Sequence, residues 1–508
     1  MNISRRGFVG GSLTLPFVGM AAKTALAQTP GKYLRYGLNN FPANLTPWVN
    51  AGAAAGTFMS LVHRGLFSFA PDGSLQGELA ESFENDGNKV FTFKLRKATY
   101  HDGQPLLAED VKWTLEQVAA KDSTAYFRAQ FQEVASIETP DERTVKVIMK
   151  NPSVTVTQLL ATYYMPILKK GTTKENNANG TGPFKLVNIE RGSYIDVEAF
   201  DKYYKPGLPK VSKIRLQAFP DENLRVAALQ TGDIDMTEYA PWWAIDNLEK
   251  DLNLKLDTTP GAFMYLMFNG TQGPMANPRV RQAVAFAMKR EAMVQAAFYG
   301  HGEPLRGLPF YKGTPYFDAP RSNFWTEDLA KAKALLSEAG FPNGFSCNLL
   351  SASDVAIQKA TAEVVQQGLA AIGIQAQLNL PDFATRVSLG NKGQFDIGVN
   401  GTACDNNDPD GITSIVDDSL SPAYTRSLNI KTPGLAEMLA RGRGESNLEA
   451  RKGIYAEVEK LVYQNTPYVG LTWRNQSYAL RKNVQGFNNL PGALTFFSGR
   501  TLESTSLS

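Results

Sequence analysis

Cysteine and histidine are scarce in this chain, with two cysteines and three histidines among 508 residues. Cys347 and Cys404 are far apart, and so are His63, His101 and His301. A zinc site, a CxxC redox motif or an iron–sulfur cluster needs several such residues at close spacing. The composition therefore argues against all three, and we expect no cofactor and no metal ion.

An excess of charge of one sign is also missing. The chain has 52 Lys plus Arg against 49 Asp plus Glu. Arg5, Arg6 and Lys23 all lie in the first 27 residues, so the remainder carries 49 charges of each sign. Nucleic-acid binding needs a concentrated basic face. We therefore expect no nucleic-acid partner.

No stretch approaches the 18 apolar residues of a membrane span. The N-terminus instead carries a twin-arginine pattern at 4–9 (SRRGFV), an interrupted apolar run from Phe8 to Ala22, and the small residues Ala25–Ala27. This order is typical of a twin-arginine signal peptide over residues 1–27, cleaved near Ala27, with a mature protein that begins near Gln28 in the periplasm. The alternative is an uncleaved amphipathic N-terminus.

Short catalytic motifs are missing as well. The sequence contains no G-x-S-x-G elbow, no HExxH and no phosphate-binding G-x-x-x-x-G-K-[ST] loop. We therefore expect that the protein is not an enzyme, and an exported hydrolase remains the alternative class. Turnover of peptide or ester substrates separates the two, since a receptor binds stoichiometrically.

What the sequence does have is alternation between strand and helix periodicity. Residues 91–95 and 145–149 alternate apolar and polar, which predicts half-buried strands. A late strand is predicted over 468–473, ending at Trp473. Apolar residues at helical spacing follow, and they predict helices near 111–118, 280–288, 326–339, 360–372 and 454–462. Interleaved helices and strands indicate an α/β fold, and the length favours two or three domains.

A set of motifs gives the chain a family resemblance. The motifs are, in order along the mature chain, Leu79–Phe83, Phe91–Lys97, His101–Leu106, Ala108–Val111, Gly180–Phe184, Asn269 with Asn277–Ala283, Leu335–Phe341, Ile372–Ile374, Phe395–Ile397 and Asp405–Asp410. In this order they resemble the signature of family 5 extracytoplasmic solute-binding proteins, the dipeptide, oligopeptide and nickel receptors of ABC importers.

The resemblance implies a fold like the type II periplasmic binding proteins, with two lobes that close on a central cleft and an extra domain inserted in the N-terminal lobe. Bound solute bridges the lobes and stabilises the closed form. We expect the chain to cross between lobes near Ala262–Phe268 and Leu480–Gln485. The predicted ranges are 28–47, 180–262 and 484–508 for domain I, 48–179 for domain II, and 263–483 for domain III.

The same resemblance points to Asp405. It follows an apparent strand at Phe395–Asn400, where ligands gather beside an open α/β sheet. In peptide-binding relatives an Asp at the matching place holds the ligand's α-amino group. Asp408 and Asp410 are interpreted as turn residues around Pro409. An alternative interpretation is that the loop is an imperfect calcium-binding motif, which would use Asn406, Asp408, Asp410, Gly411, Ser414 and Asp417. The motif requires a helix before the loop, however, and the sequence predicts a strand there.

Further candidate ligand contacts are mostly aromatic residues in loops, since rings present apolar area at low entropic cost. They are Asn39, Asn40, Phe41, Tyr239, Trp242, Trp243 and Trp473, and for each one packing in the core or on the surface is the alternative. Relatives that bind a free dipeptide carboxylate offer an Arg after the strand that begins near Cys347. Residues 351–358 contain no Arg or Lys, which leaves Arg386 as a substitute or as a surface helix residue.

The function expected from these features is capture of an oligopeptide or amino-acid-like solute and its delivery to the permease subunits of an ABC transporter in the inner membrane. A non-peptide solute such as an opine, a sugar conjugate or a metallophore is the alternative, and docking of the loaded form to a chemoreceptor is compatible with both. We expect a monomer. We also expect Cys347 and Cys404 to remain unpaired, because their placement on parallel strands separates them.

Overall fold

The computed structural model describes residues 33–508, so the predicted signal peptide lies outside the described residues. The strands of this part are β1 (Tyr33–Leu38), β2 (Phe67–Phe69), β3 (Leu75–Gly77), β4 (Ala80–Asp86), β5 (Val90–Leu95), β6 (Val134–Asp141), β7 (Thr144–Met149), β8 (Phe184–Glu190), β9 (Tyr194–Ala199), β10 (Lys213–Ala218), β11 (Met236–Thr237), β12 (Leu254–Phe268), β13 (Gly302–Pro304), β14 (Ser346–Leu350), β15 (Gln375–Asn379), β16 (Ile397–Ala403), β17 (Val469–Arg481), β18 (Val484–Gln485) and β19 (Ser506–Leu507).

The helices of the same part are α1 (Ala53–Val62), α2 (Ala108–Ala119), α3 (Arg128–Phe131), α4 (Val156–Leu159), α5 (Glu222–Thr231), α6 (Ile245–Lys250), α7 (Pro278–Phe286), α8 (Arg290–Phe298), α9 (Leu329–Glu338), α10 (Ala356–Ala370), α11 (Phe383–Asn391), α12 (Thr413–Val416), α13 (Leu435–Gly444) and α14 (Leu448–Asn465). Short 3₁₀ helices occupy Trp242–Ala244, Pro274–Ala276, Arg321–Asn323 and Pro409–Ile412, and a longer one spans Gly492–Ser504.

The largest sheet of the described chain has eleven strands in the order β15-β14-β16-β12-β17-β11-β1-β10-β9-β8, with β13 paired to β17. On one side β1 runs parallel to β10 and β11, and on the other β14 runs parallel to β15 and β16. The antiparallel pair β12 and β17 joins the two sides. The α/β fold class predicted from periodicity is confirmed.

Both joining strands are much longer than the sequence pattern predicts. The late strand expected over 468–473 extends to Arg481, and the stretch expected at Ala262–Phe268 is the second half of a strand that begins at Leu254. Nearly every residue of that second half is buried, so apolar side chains occupy both faces. Such a strand has no alternating pattern that could mark its ends.

A close backbone contact fixes β12 against the end of the chain. The pairing of β12 with β17 shifts register between Pro260 and Ala262. A Cβ at Gly261 would lie 2.0 Å from the carbonyl carbon and oxygen of Gly492. Only glycine therefore fits here, and the 3₁₀ helix at Gly492–Ser504, which periodicity does not predict, packs against the middle of the large sheet.

A separate four-stranded sheet, β4-β5-β7-β6, lies within residues 80–149. Its predicted period-two residues, Phe91, Phe93, Leu95, Val145, Val147 and Met149, are all buried. Helix α2 belongs to the same core through Val111, Leu115 and Val118. Both predicted strands and the predicted helix are confirmed.

The helices predicted in the second half of the chain also exist, with shifted ends. The side chain of Asn277 accepts a hydrogen bond from the Arg279 N–H and caps α7, as expected. Helix α9 begins later than predicted because Asp328 caps it by accepting from the Lys331 N–H. Helix α10 begins at Ala356, four residues earlier than expected.

A buried ionic network, formed by Arg64, Glu78, Lys205, Arg500 and Glu503, ties distant parts of the chain together. Lys205 Nζ lies 2.7 Å from Glu78 and 2.9 Å from Glu503, and Arg64 donates to Glu503 at 2.8 Å. Arg500 also pairs with Glu78. Burial works against the ionised form of Glu78, but the three cations hold its pKa well below the usual range.

Cys347 and Cys404 are free and buried, as predicted. Across residues 33–508, the helices lack the combination of length and apolar character that a membrane span requires. The described residues cluster as one unit, and the three domain ranges stay a prediction.

Candidate solute-binding cleft

Strand ends on both sides of the large sheet bring candidate residues together. Asn39 follows β1, Glu238 and Tyr239 follow β11, and Asp405 comes two residues after β16. Ligands of open α/β sheets bind outside the carboxyl ends of parallel strands. We call this region the central site. It also includes the aromatic residues Tyr126, Tyr163, Tyr164 and Phe497, and Arg474.

Asp405 is a carboxylate without a cation. The Tyr126 hydroxyl donates to its Oδ1 at 2.7 Å, and no Lys, Arg or His of the described residues forms an ion pair with it. Burial raises the pKa of Asp405 to about 7, the hydrogen bond from Tyr126 lowers it, and the nearby charge of Asp410 raises it. The described residues therefore place no cation close enough to balance the negative charge of the Asp405 carboxylate.

Aromatic rings surround the hydroxyl that reaches Asp405. The Tyr126 ring lies 4.6 Å from that of Tyr164, which in turn lies 4.2 Å from Tyr163. Phe497, from the 3₁₀ helix near the C-terminus, packs 5.2 Å from Tyr163. Cations bind favourably over such ring faces. The group therefore offers a carboxylate beside an aromatic wall.

The neighbouring acids Asp408 and Asp410 are occupied. Arg451 donates to both oxygens of Asp408 at 2.6 Å, and Arg443 donates to Asp410 at 2.9 and 3.1 Å. Asp408 also accepts from the Asp410 N–H, which makes the turn expected around Pro409. Among the described residues no group of three or more His, Cys, Asp or Glu is arranged to hold a metal ion. The carboxylates of Asp408 and Asp410 are therefore engaged by guanidinium groups.

The opposite side of the central site contains a second buried acid, Glu238, which forms no ion pair with the described residues although the charge of Arg225 lowers its pKa. Its Oε1 accepts from the Asn39 N–H at 3.2 Å, whereas Oε2 and the Asn39 Oδ1 are buried without a hydrogen-bond partner among the described residues. Burial raises the pKa of Glu238 to about 7. The next residue, Tyr239, has φ 46°, a left-handed conformation that is strained for a bulky side chain. Its ring packs 5.6 Å from Phe496.

Trp242 and Trp473 take different positions. Trp242 lies in a 3₁₀ helix, donates its ring N–H to the Asn475 carbonyl at 2.9 Å and packs on Phe298. Trp473 is in the middle of β17, not at its end, and lines a small pocket beside Cys404.

Three further candidates lie at the edge of the central site or outside it. Asn40 is exposed. Phe41 is half-buried against the core of the first side of the large sheet. Trp243 is exposed at the surface and donates to Glu222 at 3.0 Å. None of the contacts of these residues reaches Asp405.

Arg386 is fully buried, so the expectation that it could be a surface helix residue is wrong. Its guanidinium donates to the Val399 carbonyl at 2.9 Å and to the Tyr424 carbonyl at 3.4 Å. Burial lowers its pKa. These contacts place Arg386 beside β16, where backbone carbonyls accept its hydrogen bonds.

Comparison with known proteins identifies the family. The model of the bacterial extracellular solute-binding proteins, family 5 (middle region), matches residues 74–420, more than half of the chain. The chain belongs to this family. Its members are periplasmic solute-binding proteins that work with ABC importers, as the sequence motifs predicted.

Several relatives match this family 5 protein over nearly all of its length. The glutathione-binding protein GsiB of Pectobacterium atrosepticum is 28% identical, with 99% of each chain covered. The solved structure of the periplasmic binding protein AgaA from A. tumefaciens R10, in complex with agropinic acid, is 36% identical, with a TM-score of 0.88 and coverage of 94% of this chain and 99% of that one.

A more distant structure supports the fold alone. DppA of Helicobacter pylori, in complex with the peptide STSA, is 20% identical and has a TM-score of 0.82 over 94% of this chain and 98% of that one. The type II periplasmic-binding-protein fold expected for this family 5 protein is therefore confirmed.

Sequence patterns did not identify the aromatic wall, formed by Tyr126, Tyr163, Tyr164 and Phe497, or Arg474 of the central site. The adjacent pair Tyr163-Tyr164 was the available signal for the wall, since paired aromatics in a loop often face a ligand. Arg474 carried no signal, because it lies in a strand whose extent was underpredicted.

Proposed function

We propose that this protein captures a small amino-acid-derived solute, holds the basic amine of that solute at Asp405, and delivers it to the permease subunits of an ABC transporter. The observation that carries the proposal is the carboxylate of Asp405, which has no cationic partner among the described residues. An ammonium group would supply the missing charge. Such a charge-assisted bond contributes about 1.5–3 kcal/mol net.

The aromatic wall supports the same proposal. An ammonium bound to Asp405 would lie beside the rings of Tyr126, Tyr163 and Tyr164 and gain cation–π attraction. Two pockets adjoin these residues, one lined by Trp473, Cys404 and Asn406 and the other by Tyr163 and Phe497.

An opine is the favoured member of the non-peptide alternative. Its support is the 36% identity to AgaA, the structure of which holds agropinic acid. An oligopeptide, a sugar conjugate and a metallophore remain alternatives on the same fold, and so does docking of the loaded form to a chemoreceptor.

The first experiment asks which solute binds. Native mass spectrometry of gently purified protein identifies any bound solute, and a thermal-shift panel then compares glutathione, Met-Leu, mannopinic acid and agropinic acid. Mannopinic acid has the basic amine that agropinic acid, its lactam, lacks. We expect the amine-bearing compounds to raise the melting temperature more. Catalytic turnover of any panel compound would favour the exported-hydrolase alternative over the proposal that the protein is not an enzyme.

Replacement of Asp405 tests the proposed role directly. We expect Asp405→Ala to weaken an amine-bearing solute at least tenfold, about 1.4 kcal/mol, as measured by isothermal titration calorimetry. Asp141→Ala is the matched control, because that carboxylate is exposed and lies in the separate four-stranded sheet. An unchanged dissociation constant in Asp405→Ala would reject the role.

The route to the periplasm and the state of the mature protein are parts of the same proposal. We infer export through the twin-arginine signal, cleavage near Ala27, and a monomeric receptor without nucleic-acid partners. N-terminal sequencing of the periplasmic protein and a double replacement of Arg5 and Arg6 by Lys test the export step. Retained export in the double variant would contradict it.

A further inference from the structure

Arg474 lies where the two sides of the central site meet. It is in β17 opposite Ala262 of β12, and its guanidinium carbon lies 6.0 Å from the centre of the Trp242 ring. From the other side, a Cβ added to Gly401 of β16 would come within 3.7 Å of its Nη1. The guanidinium is thus placed between residues that follow β11 and the end of β16.

The guanidinium has no partner in the described chain. It makes no hydrogen bond or ion pair there, and its Nε is buried without an acceptor. Burial lowers the pKa of Arg474 to about 10, and the only group that opposes this effect is Tyr239. No described carboxylate is close enough to contribute.

Arg474 is half-buried, and the fully buried arginines of this protein are treated differently by the fold. Arg290 donates to the carbonyls of Leu305 and Gly470 at 2.8 and 2.9 Å, and Arg281 donates to those of Met275 and Thr466 at 2.7 and 3.0 Å. These arginines also lack a carboxylate, but backbone oxygens accept several of their hydrogen bonds, although Nη2 of Arg290 is left without an acceptor. A buried guanidinium without such acceptors is costly. Of the three arginines compared, Arg474 is the one that makes no hydrogen bond to the described residues. An anion from outside the protein could therefore accept its hydrogen bonds and balance its charge.

We infer that Arg474 is the residue that binds a carboxylate group of the solute. The inference rests on the proposed function and deepens it: a solute with its amine at Asp405 and its carboxylate at Arg474 is an amino-acid derivative with a free acid group. The planar fork of a guanidinium matches a carboxylate through two parallel hydrogen bonds. The face of the Trp242 ring orients the fork and leaves its nitrogens free to donate.

The test compares acids with their amides. Isothermal titration calorimetry measures the affinities of agropinic acid and of Met-Leu, each beside the compound in which the carboxyl is a primary amide. For the wild type we expect each acid to bind at least tenfold more tightly than its amide. In Arg474→Gln we expect the two affinities to become equal within about twofold, and in Arg474→Lys we expect a partial preference for the acid.

The ratio of acid to amide distinguishes binding from a structural role. If Arg474 only supported Trp242, its replacement would weaken acid and amide equally and leave the ratio unchanged, which would overturn the inference. Melting of each variant without solute confirms that it folds. Equal binding of acid and amide by the wild type overturns the inference alone. If none of the four compounds of the thermal-shift panel binds, both the inference about Arg474 and the proposed amino-acid-derived solute are overturned. If the panel shows no preference for compounds with an amine, only the role of Asp405 is rejected.

Discussion

At the scale of single residues, Asp405 differs from Asp408 and Asp410 in its partners. Each of the latter is neutralised by an arginine, whereas Asp405 receives only uncharged donors. Its position after a strand could be predicted from the sequence and the family motif. Its isolation from arginine could not, because Arg443 and Arg451 come from helices beyond residue 430 and Tyr126 from a loop 279 residues away.

The raised pKa of Asp405 predicts a dependence of stability on pH. The folded protein holds the Asp405 proton up to a pH of about 7, whereas the ordinary value is 3.8. Protonation therefore stabilises the solute-free protein at low pH, and this contribution is lost as pH rises towards 7. We expect the free energy of unfolding of Asp405→Asn to rise relative to that of the wild type by about 2 kcal/mol between pH 5 and pH 8. Urea titrations across this range check it, and parallel curves would show that Asp405 titrates normally.

At the scale of elements, local patterns were a good guide wherever one face of a helix or strand meets solvent. Strands β5 and β7 and helices α2, α7 and α14 were predicted for that reason. Buried elements gave no such signal. The second half of β12 is apolar on both faces, β17 has the polar run 474–477 in its middle, and the 3₁₀ helix at Gly492–Ser504 is buried along most of its length.

The buried ionic network joins that 3₁₀ helix to the chain before β4. Glu78 contacts Arg64, Lys205 and Arg500, all in the interior. Removal of its charge leaves buried cations uncompensated. We expect Glu78→Gln to lower the free energy of unfolding by about 3–5 kcal/mol in urea titrations.

The surface pair Lys146–Glu138 is the matched control, since both of its side chains are exposed. We expect Lys146→Gln to leave stability nearly unchanged. If both variants lose equally little, the network contributes no specific stability.

At the scale of the whole molecule, the family motifs predicted the fold, although the positions of the domain boundaries remain untested. The motifs are local and survive in sequence, whereas boundaries depend on which side of the β12–β17 pair each segment packs against. Glu238 and Asp405 come from opposite sides of that pair, and Arg474 lies within it. A solute that joins them would bridge the two sides, which is the physical basis of lobe closure.

Small-angle X-ray scattering tests lobe closure on a solute most directly. The solute-free protein and the protein saturated with the panel compound of highest affinity are measured at the same concentration. The account predicts that the radius of gyration falls on binding, because the lobes close around the solute. A single unchanged scattering curve, with and without every compound of the panel, would contradict it.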